Sequence, residues 1–178
     1  MIIFLSGGCK NGKSSYAERL AVRLANGGPL YYAATMIPHD EEDQARIRRH
    51  RAERAGLGFT TVEQGVHIDR CAEGRADGTF LLDSVTALLS NEMFPWPGDP
   101  DPDCAPRVAE ELTRFAASVR HTVFVSDFLY ADAETYDPLT EAYRRGLALL
   151  DRTLASLADT VIEVSAGNLI LHKGELPR

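Results

Sequence analysis

Residues Gly7 to Ser14 read GGCKNGKS, a G-x-x-x-x-G-K-[ST] pattern whose residue types suit the binding of a nucleotide's phosphates. Glycines at both ends let the backbone curl its N–H groups inward, and the positive end of a following helix adds to the attraction. In such a loop Lys13 reaches the β- and γ-phosphates and the Ser14 hydroxyl ligates Mg²⁺. Gly7, Gly8, Cys9, Lys10, Asn11, Gly12, Lys13, Ser14 and Ser15 are therefore expected to face a nucleotide. The flanks agree, because an apolar run, Met1 to Leu5, precedes the loop and a helix-like segment, Ser15 to Asn26, follows it. Such a site also needs a carboxylate at the end of a neighbouring strand to hold the metal's water shell. Asp83, closing the run Thr79-Phe80-Leu81-Leu82, is the first choice, although it could equally cap a helix starting near Ser84. Asp127, after Thr122 to Ser126, competes for the role and ranks second.

A third group of reactive side chains lies in Asp40 to Ala55, DEEDQARIRRHRAERA, which has few apolar residues for a helix that packs on a sheet and is expected to be largely exposed. Acids in its first turn and arginines in the later ones match the helix dipole. Arg46, His50 and Arg54 are four apart and share a face, with Arg49 and Arg51 flanking. Surrounding positive charge disfavours the imidazolium, leaving His50 neutral and nucleophilic, while the guanidinium groups suit phosphate oxygens. A solvated face with an incidental histidine is the other reading of the same charge run.

These residues need a scaffold, and short apolar runs alternating with longer amphipathic ones predict βα units wound into a mainly parallel sheet. Strands are expected at Ile2–Leu5, Leu30–Ala34, Phe59–Val62, Thr79–Leu82, Thr122–Ser126 and Thr160–Val164, with a closing strand near Leu169–His172. Helices are expected at Ser14–Ala25, Glu41–Ala55, Ser84–Glu92, Ala105–Arg120 and Pro138–Leu157. In the last, Leu139, Tyr143, Leu147, Leu150, Leu154 and Leu157 form a core stripe. Phe94 to Pro106, with five prolines, reads as a surface loop, either a lid or a rigid excursion. The length of 178 residues suits one domain, 1–178. A net charge of −7 leaves no basic footprint for nucleic acid, and no apolar run approaches a membrane span, so a cytoplasmic protein is expected. Cys9, Cys71 and Cys104 are too dispersed for a disulfide framework or a C-x-x-C metal site.

The opening IIFLSGGCKNGKSSYAERLA, the YYAAT at Tyr31 to Thr35, the ARIRRHR at Ala45 to Arg51 and the FLLDSVTALLSNEMF at Phe80 to Phe94 resemble the adenosylcobinamide kinase / adenosylcobinamide-phosphate guanylyltransferase family. The resemblance implies an α/β, P-loop NTPase-like (RecA-like) fold, mainly parallel, with an antiparallel strand at the C-terminal end. It implies a bifunctional enzyme of cobalamin biosynthesis that phosphorylates adenosylcobinamide, then transfers GMP from GTP to the product through a guanylyl-histidine. ATP and GTP would be substrates, Mg²⁺ the cofactor, a corrinoid the small-molecule partner and a homotrimer the assembly. By position the histidine is His50, with Lys13 and Asp83 also catalytic, Ser14 and Asp83 on the metal, and Arg46 stabilising the transferring phosphoryl group. Glu63, in a T-x-E segment, is a ribose or base contact, or else a strand-end cap.

The second half departs from the family pattern. Ser126-Asp127-Phe128-Leu129 stands where members carry an Asn-Glu pair and then glycine, and Tyr143-Arg144-Arg145 stands for Tyr-Arg-Asp. Ala148 and Asp151 replace a glycine and an asparagine. Those segments serve the cobinamide and kinase side, so guanylyl transfer alone, or another acceptor, stays open. A P-loop small-molecule kinase of other specificity and a non-catalytic nucleotide-binding regulator are the remaining alternatives.

Overall fold

The computed structural model describes residues 1–38 and 40–176, so the span 1–178 expected as one unit includes His39, Pro177 and Arg178, which lie outside the described residues. Strands β1 (Ile2–Gly7), β2 (Leu30–Ala34), β3 (Thr60–Glu63), β4 (Thr79–Asp83), β5 (His121–Val125), β6 (Thr160–Ser165) and β7 (Asn168–Lys173) form one sheet in the order β3-β2-β4-β5-β1-β6-β7. All neighbours pair in parallel except β6 and β7, which are antiparallel. Their hairpin turns at Ala166 (φ 48°) and Gly167 (φ 77°), the left-handed pair that a two-residue connection requires.

The helices are α1 (Lys13–Ala25), α2 (Glu41–Glu53), α3 (Val85–Met93), α4 (Ala105–Ser118) and α5 (Pro138–Leu157). All strands and helices expected from the sequence are present, with ends moved by one or two residues. A 3₁₀ turn at Ile68–Ala72 was not anticipated, being too short to show a period. In α5 the expected stripe holds through Leu147, Leu150 and Leu154, but Leu157, at the last turn, is exposed.

The central strands are buried on both faces, as parallel strands covered by helices must be. Alternation divides them. Ile3, Leu5, Leu81, Val123 and Val125 pack with Ala17, Leu20 and Ala21 of α1. Phe4, Phe80, Leu82 and Phe124 face the opposite layer, built by Leu88 and Leu89 of α3, Leu112 and Phe115 of α4, and Leu147 and Leu150 of α5. There Arg107 Nη1 lies 3.0 Å from both Glu92 and Glu111, two buried carboxylates beside His67, so the cluster is an ion-pair network joining α3 to α4. None of the described helices is long and apolar enough to cross a membrane.

Phe115 meets Phe80 edge-on at 5.2 Å and Phe124 at 6.1 Å between ring centroids. Phe115→Ala should lower unfolding free energy by about 3–5 kcal/mol in urea titrations, against about 0.5 kcal/mol or less for exposed Leu157→Ala.

Candidate nucleotide site

The glycine-rich loop leaves β1 at Gly7 and enters α1 at Gly12. A Cβ on Gly7 would lie 2.2 Å from the carbonyl oxygen of Val164, so glycine is the only residue that fits there. Gly12, at φ 90°, supplies the left-handed turn into α1. The Asn11 amide donates to that same Val164 carbonyl and ties the loop to β6. Gly8, Cys9, Lys10, Gly12 and Ser15 are open to solvent, Asn11 and Ser14 are half-buried, and Lys13 is buried.

The Lys13 ammonium donates to the carbonyls of Gly7 (3.0 Å) and Gly8 (2.6 Å) and to Asp127 Oδ1 (2.9 Å). Asp127 is fixed from the other side, its backbone N–H donating to Thr86 Oγ1 at 3.0 Å. The sequence expectation placed Asp83 on the strand neighbouring the loop strand. The strand order corrects it, because β5, which leads to Asp127, lies between β4 and β1. Asp127 therefore meets the lysine, and Asp83 meets Ser14.

The β4 register sets Asp83 opposite Ala34 and Val125, at the carboxyl edge of the sheet. Ser84, not Asp83, caps α3, its Oγ accepting from Ala87 N at 3.2 Å. The Thr35 hydroxyl donates to Ser84 O and accepts from Ser84 N, both at 2.9 Å, which holds the corner. Burial raises the Asp83 carboxyl above its ordinary range. The Ser14 hydroxyl donating to it and the charges of His50 and Arg54 pull the other way, while Asp127 adds to the rise. Burial, then the charge of Asp83, pushes the Tyr32 phenol upward. A hydroxyl beside a carboxylate is a hard-oxygen pair of the kind Mg²⁺ takes, so Ser14 and Asp83 fit the cation expected of them.

Ser14, Asp83 and Tyr32 floor a cavity of about 530 Å³ that α2 roofs with His50, Arg46 and Arg54, Glu63 lying at its side. α2 is largely exposed, as expected; Asp40 caps it by accepting from Asp43 N. The guanidinium cluster expected around His50 is divided. Arg46 is exposed at the rim, and Arg49 is exposed and does not line the cavity. Arg51 is ion-paired with Glu63, tying α2 to β3. Arg54 is buried and lies 3.4 Å over the centre of the Tyr32 ring. His50 faces the Asp83 carboxylate as well as arginines.

A strand running through a phosphate loop into a helix, with one further parallel strand between it and the strand whose closing carboxylate, Asp83, meets the loop serine, defines a RecA-like P-loop nucleotide-binding protein. Two solved structures share the fold: an ATPase domain (TM-score 0.57, 11% identity, 99% of this chain and 78% of that one) and a KaiC-like protein from Pyrococcus horikoshii (0.50, 12%, 98% and 79%). The chain belongs to the cobinamide kinase / cobinamide phosphate guanyltransferase family, whose profile matches residues 3–171. The bifunctional adenosylcobalamin biosynthesis protein CobU of Escherichia coli is 36% identical over 105 residues, 58% of this chain and 56% of that protein. CobU of Salmonella typhimurium is 32% identical over the same shares, and CobP of Pseudomonas aeruginosa 34% over 49% of this chain and 50% of its own. The chain thus spans about half the length of the curated relatives it matches.

Sequence reasoning missed the role of Tyr32 as a platform, since an aromatic in an apolar run reads as core. It also missed the burial of Asp151, whose Oδ2 accepts from the Tyr130 hydroxyl at 3.0 Å and whose Oδ1 has no hydrogen-bond partner among the described residues. Burial raises the Asp151 carboxyl to about 6; the nearby hydroxyls of Ser126 and Tyr130 oppose the rise and the charge of Asp127 adds to it. A carboxyl with a folded value above its unfolded one binds more protons in the native state, so its contribution to stability is lost as pH rises from about 4 to about 6. Asp151→Asn should therefore gain on the parent chain across that interval, by roughly 3 kcal/mol, and hold the gain above it, as urea unfolding at pH 4 and pH 7 would show.

Proposed function

We propose that this protein is an enzyme of cobalamin assembly that binds GTP on the phosphate loop and transfers GMP through His50 to a phosphorylated corrinoid. The carrying observation is His50 in one cavity with Ser14, Asp83 and Arg54, roofing the site into which the phosphate loop leads. In the first displacement the lone pair of an imidazole nitrogen forms a P–N bond at the α-phosphorus. The bond to the bridging oxygen breaks and pyrophosphate leaves with the electron pair. In the second, a phosphate oxygen of the acceptor forms the new P–O bond and the P–N electron pair returns to the ring. Lys13, released from Asp127 to the nucleotide, neutralises the leaving pyrophosphate, and Arg46 at the rim attracts the incoming phosphates. Ser14 and Asp83 would hold Mg²⁺, which would supply further charge neutralisation on the phosphates.

The kinase step, from ATP or GTP to the corrinoid side chain, draws on the same loop, with Lys13 and Asp83. Transfer to another acceptor is a second reading, and one observation favours it: Asp127 holds Lys13 where the family carries an Asn-Glu pair. Glu63, engaged by Arg51, positions α2 and meets the ribose or base through that edge. A cytoplasmic homotrimer completes the reading, with light scattering as its test.

Protein incubated with Mg²⁺ and GTP labelled at the α-phosphate should acquire an acid-labile, base-stable label on denaturing gels. His50→Ala should abolish it and Lys13→Ala reduce it by about 10²-fold or more. GTP binding without label in the wild type would remove the covalent mechanism.

A further inference from the structure

Among the arginines of α2 and its C-cap, Arg54 differs from the rest. Arg46, Arg48, Arg49 and Arg51 are exposed, whereas Arg54 is 7% exposed and still lines the cavity with His50, Ser14 and Asp83. Its guanidinium lies 3.4 Å from the centroid of Tyr32, itself buried in β2. Its Nη1 has no acceptor among the described residues. Arg51 is committed to Glu63, so Arg54 is not held in that exposed ion pair. A buried guanidinium with an unsatisfied N–H is costly unless an anion completes it. Here the cavity beside it opens toward the phosphate loop, where anions are to be bound.

We infer that Arg54, seated on the Tyr32 ring, binds the nucleotide's phosphate oxygens next to His50, and that Tyr32 is its positioning residue. The inference rests on the proposed guanylyl transfer only for which phosphate is held, the α-phosphate beside the histidine. Arg54 then differs in kind from Arg46. One is a fork fixed in place by stacking, able to receive an oxygen without reorganising; the other is a solvated charge at the entrance.

The test is nucleotide binding by calorimetry with the full chain and Mg²⁺, using GTP and ATP each against its own nucleoside. Arg54→Gln should weaken triphosphate binding at least about tenfold with nucleoside binding unchanged. Arg54→Lys, which keeps the charge and loses the fork, should lose most of the same factor, and Arg46→Gln less than about threefold. Tyr32→Leu should fall further than Tyr32→Phe, which keeps the ring. Added guanidinium ion should restore part of the binding of Arg54→Gly. Triphosphate binding unchanged in folded Arg54→Gln would overturn the inference. Equal loss of triphosphate and nucleoside in Arg54→Gln and Arg54→Lys would also overturn it, reducing the residue to structural support. Absence of the α-phosphate label in the wild type would sink guanylyl transfer yet leave these binding ratios readable.

Discussion

The arrangement of the site depends on one buried ammonium. Lys13 is 5% exposed, and a charge so placed needs oxygens around it. Two come from the loop's own carbonyls, a longer one at 3.4 Å from the Asn11 side chain and one from Asp127, across from the loop. That demand sets the neighbours of β1. β5 must lie alongside to deliver Asp127, α3 must support Asp127 through Thr86, and β6 must stand on the other side to hold Asn11. The fit of Gly7 against Val164 belongs to the same demand, since a side chain there would push the loop off β6 and away from the lysine.

With Lys13 assigned to Asp127, the two acids at the sheet's carboxyl edge have separate partners. One strand of separation keeps Asp83 on the serine hydroxyl and Asp127 on the ammonium. Each carboxylate still raises the proton affinity of groups around it, Asp127 acting on Asp83, Tyr143 and Asp151. The edge of the sheet is therefore an acidic environment held in check by Lys13 and Arg54, and a phosphate-bearing ligand enters it only with its own cations or by drawing those side chains toward itself.

The loop, its strand and its helix were legible because the motif constrains residue types at fixed spacing, and the two-faced strands were legible because burial on both sides leaves nearly unbroken apolar runs. His50 could be placed from the periodicity of its arginines together with the family resemblance. What escaped was lateral order. Nothing in the run TFLLD tells which strand lies beside it, so Asp83 was set next to the loop strand when β5 intervenes. Nor does the spacing of Arg46, Arg51 and Arg54 show that one stays in water, one takes Glu63 and one is laid on an aromatic ring. Those outcomes depend on Tyr32 and Glu63 in β2 and β3, outside α2 and unmarked by any local pattern.

The sparse apolar surface of α2 bears on how, in the proposed transfer, a single imidazole would serve two partners. The helix carries almost no apolar surface and is held at its end by a stacked ring and an exposed ion pair. Tilting it by an ångström or two about its Arg54 end uncovers little hydrocarbon, so the free-energy cost is small compared with moving any helix rooted in the core. In the proposed guanylyl transfer, an imidazole mounted on such an arm would follow the atom it has captured, approaching a donor during one displacement and withdrawing to admit an acceptor during the next, while the phosphate loop beneath it stays fixed.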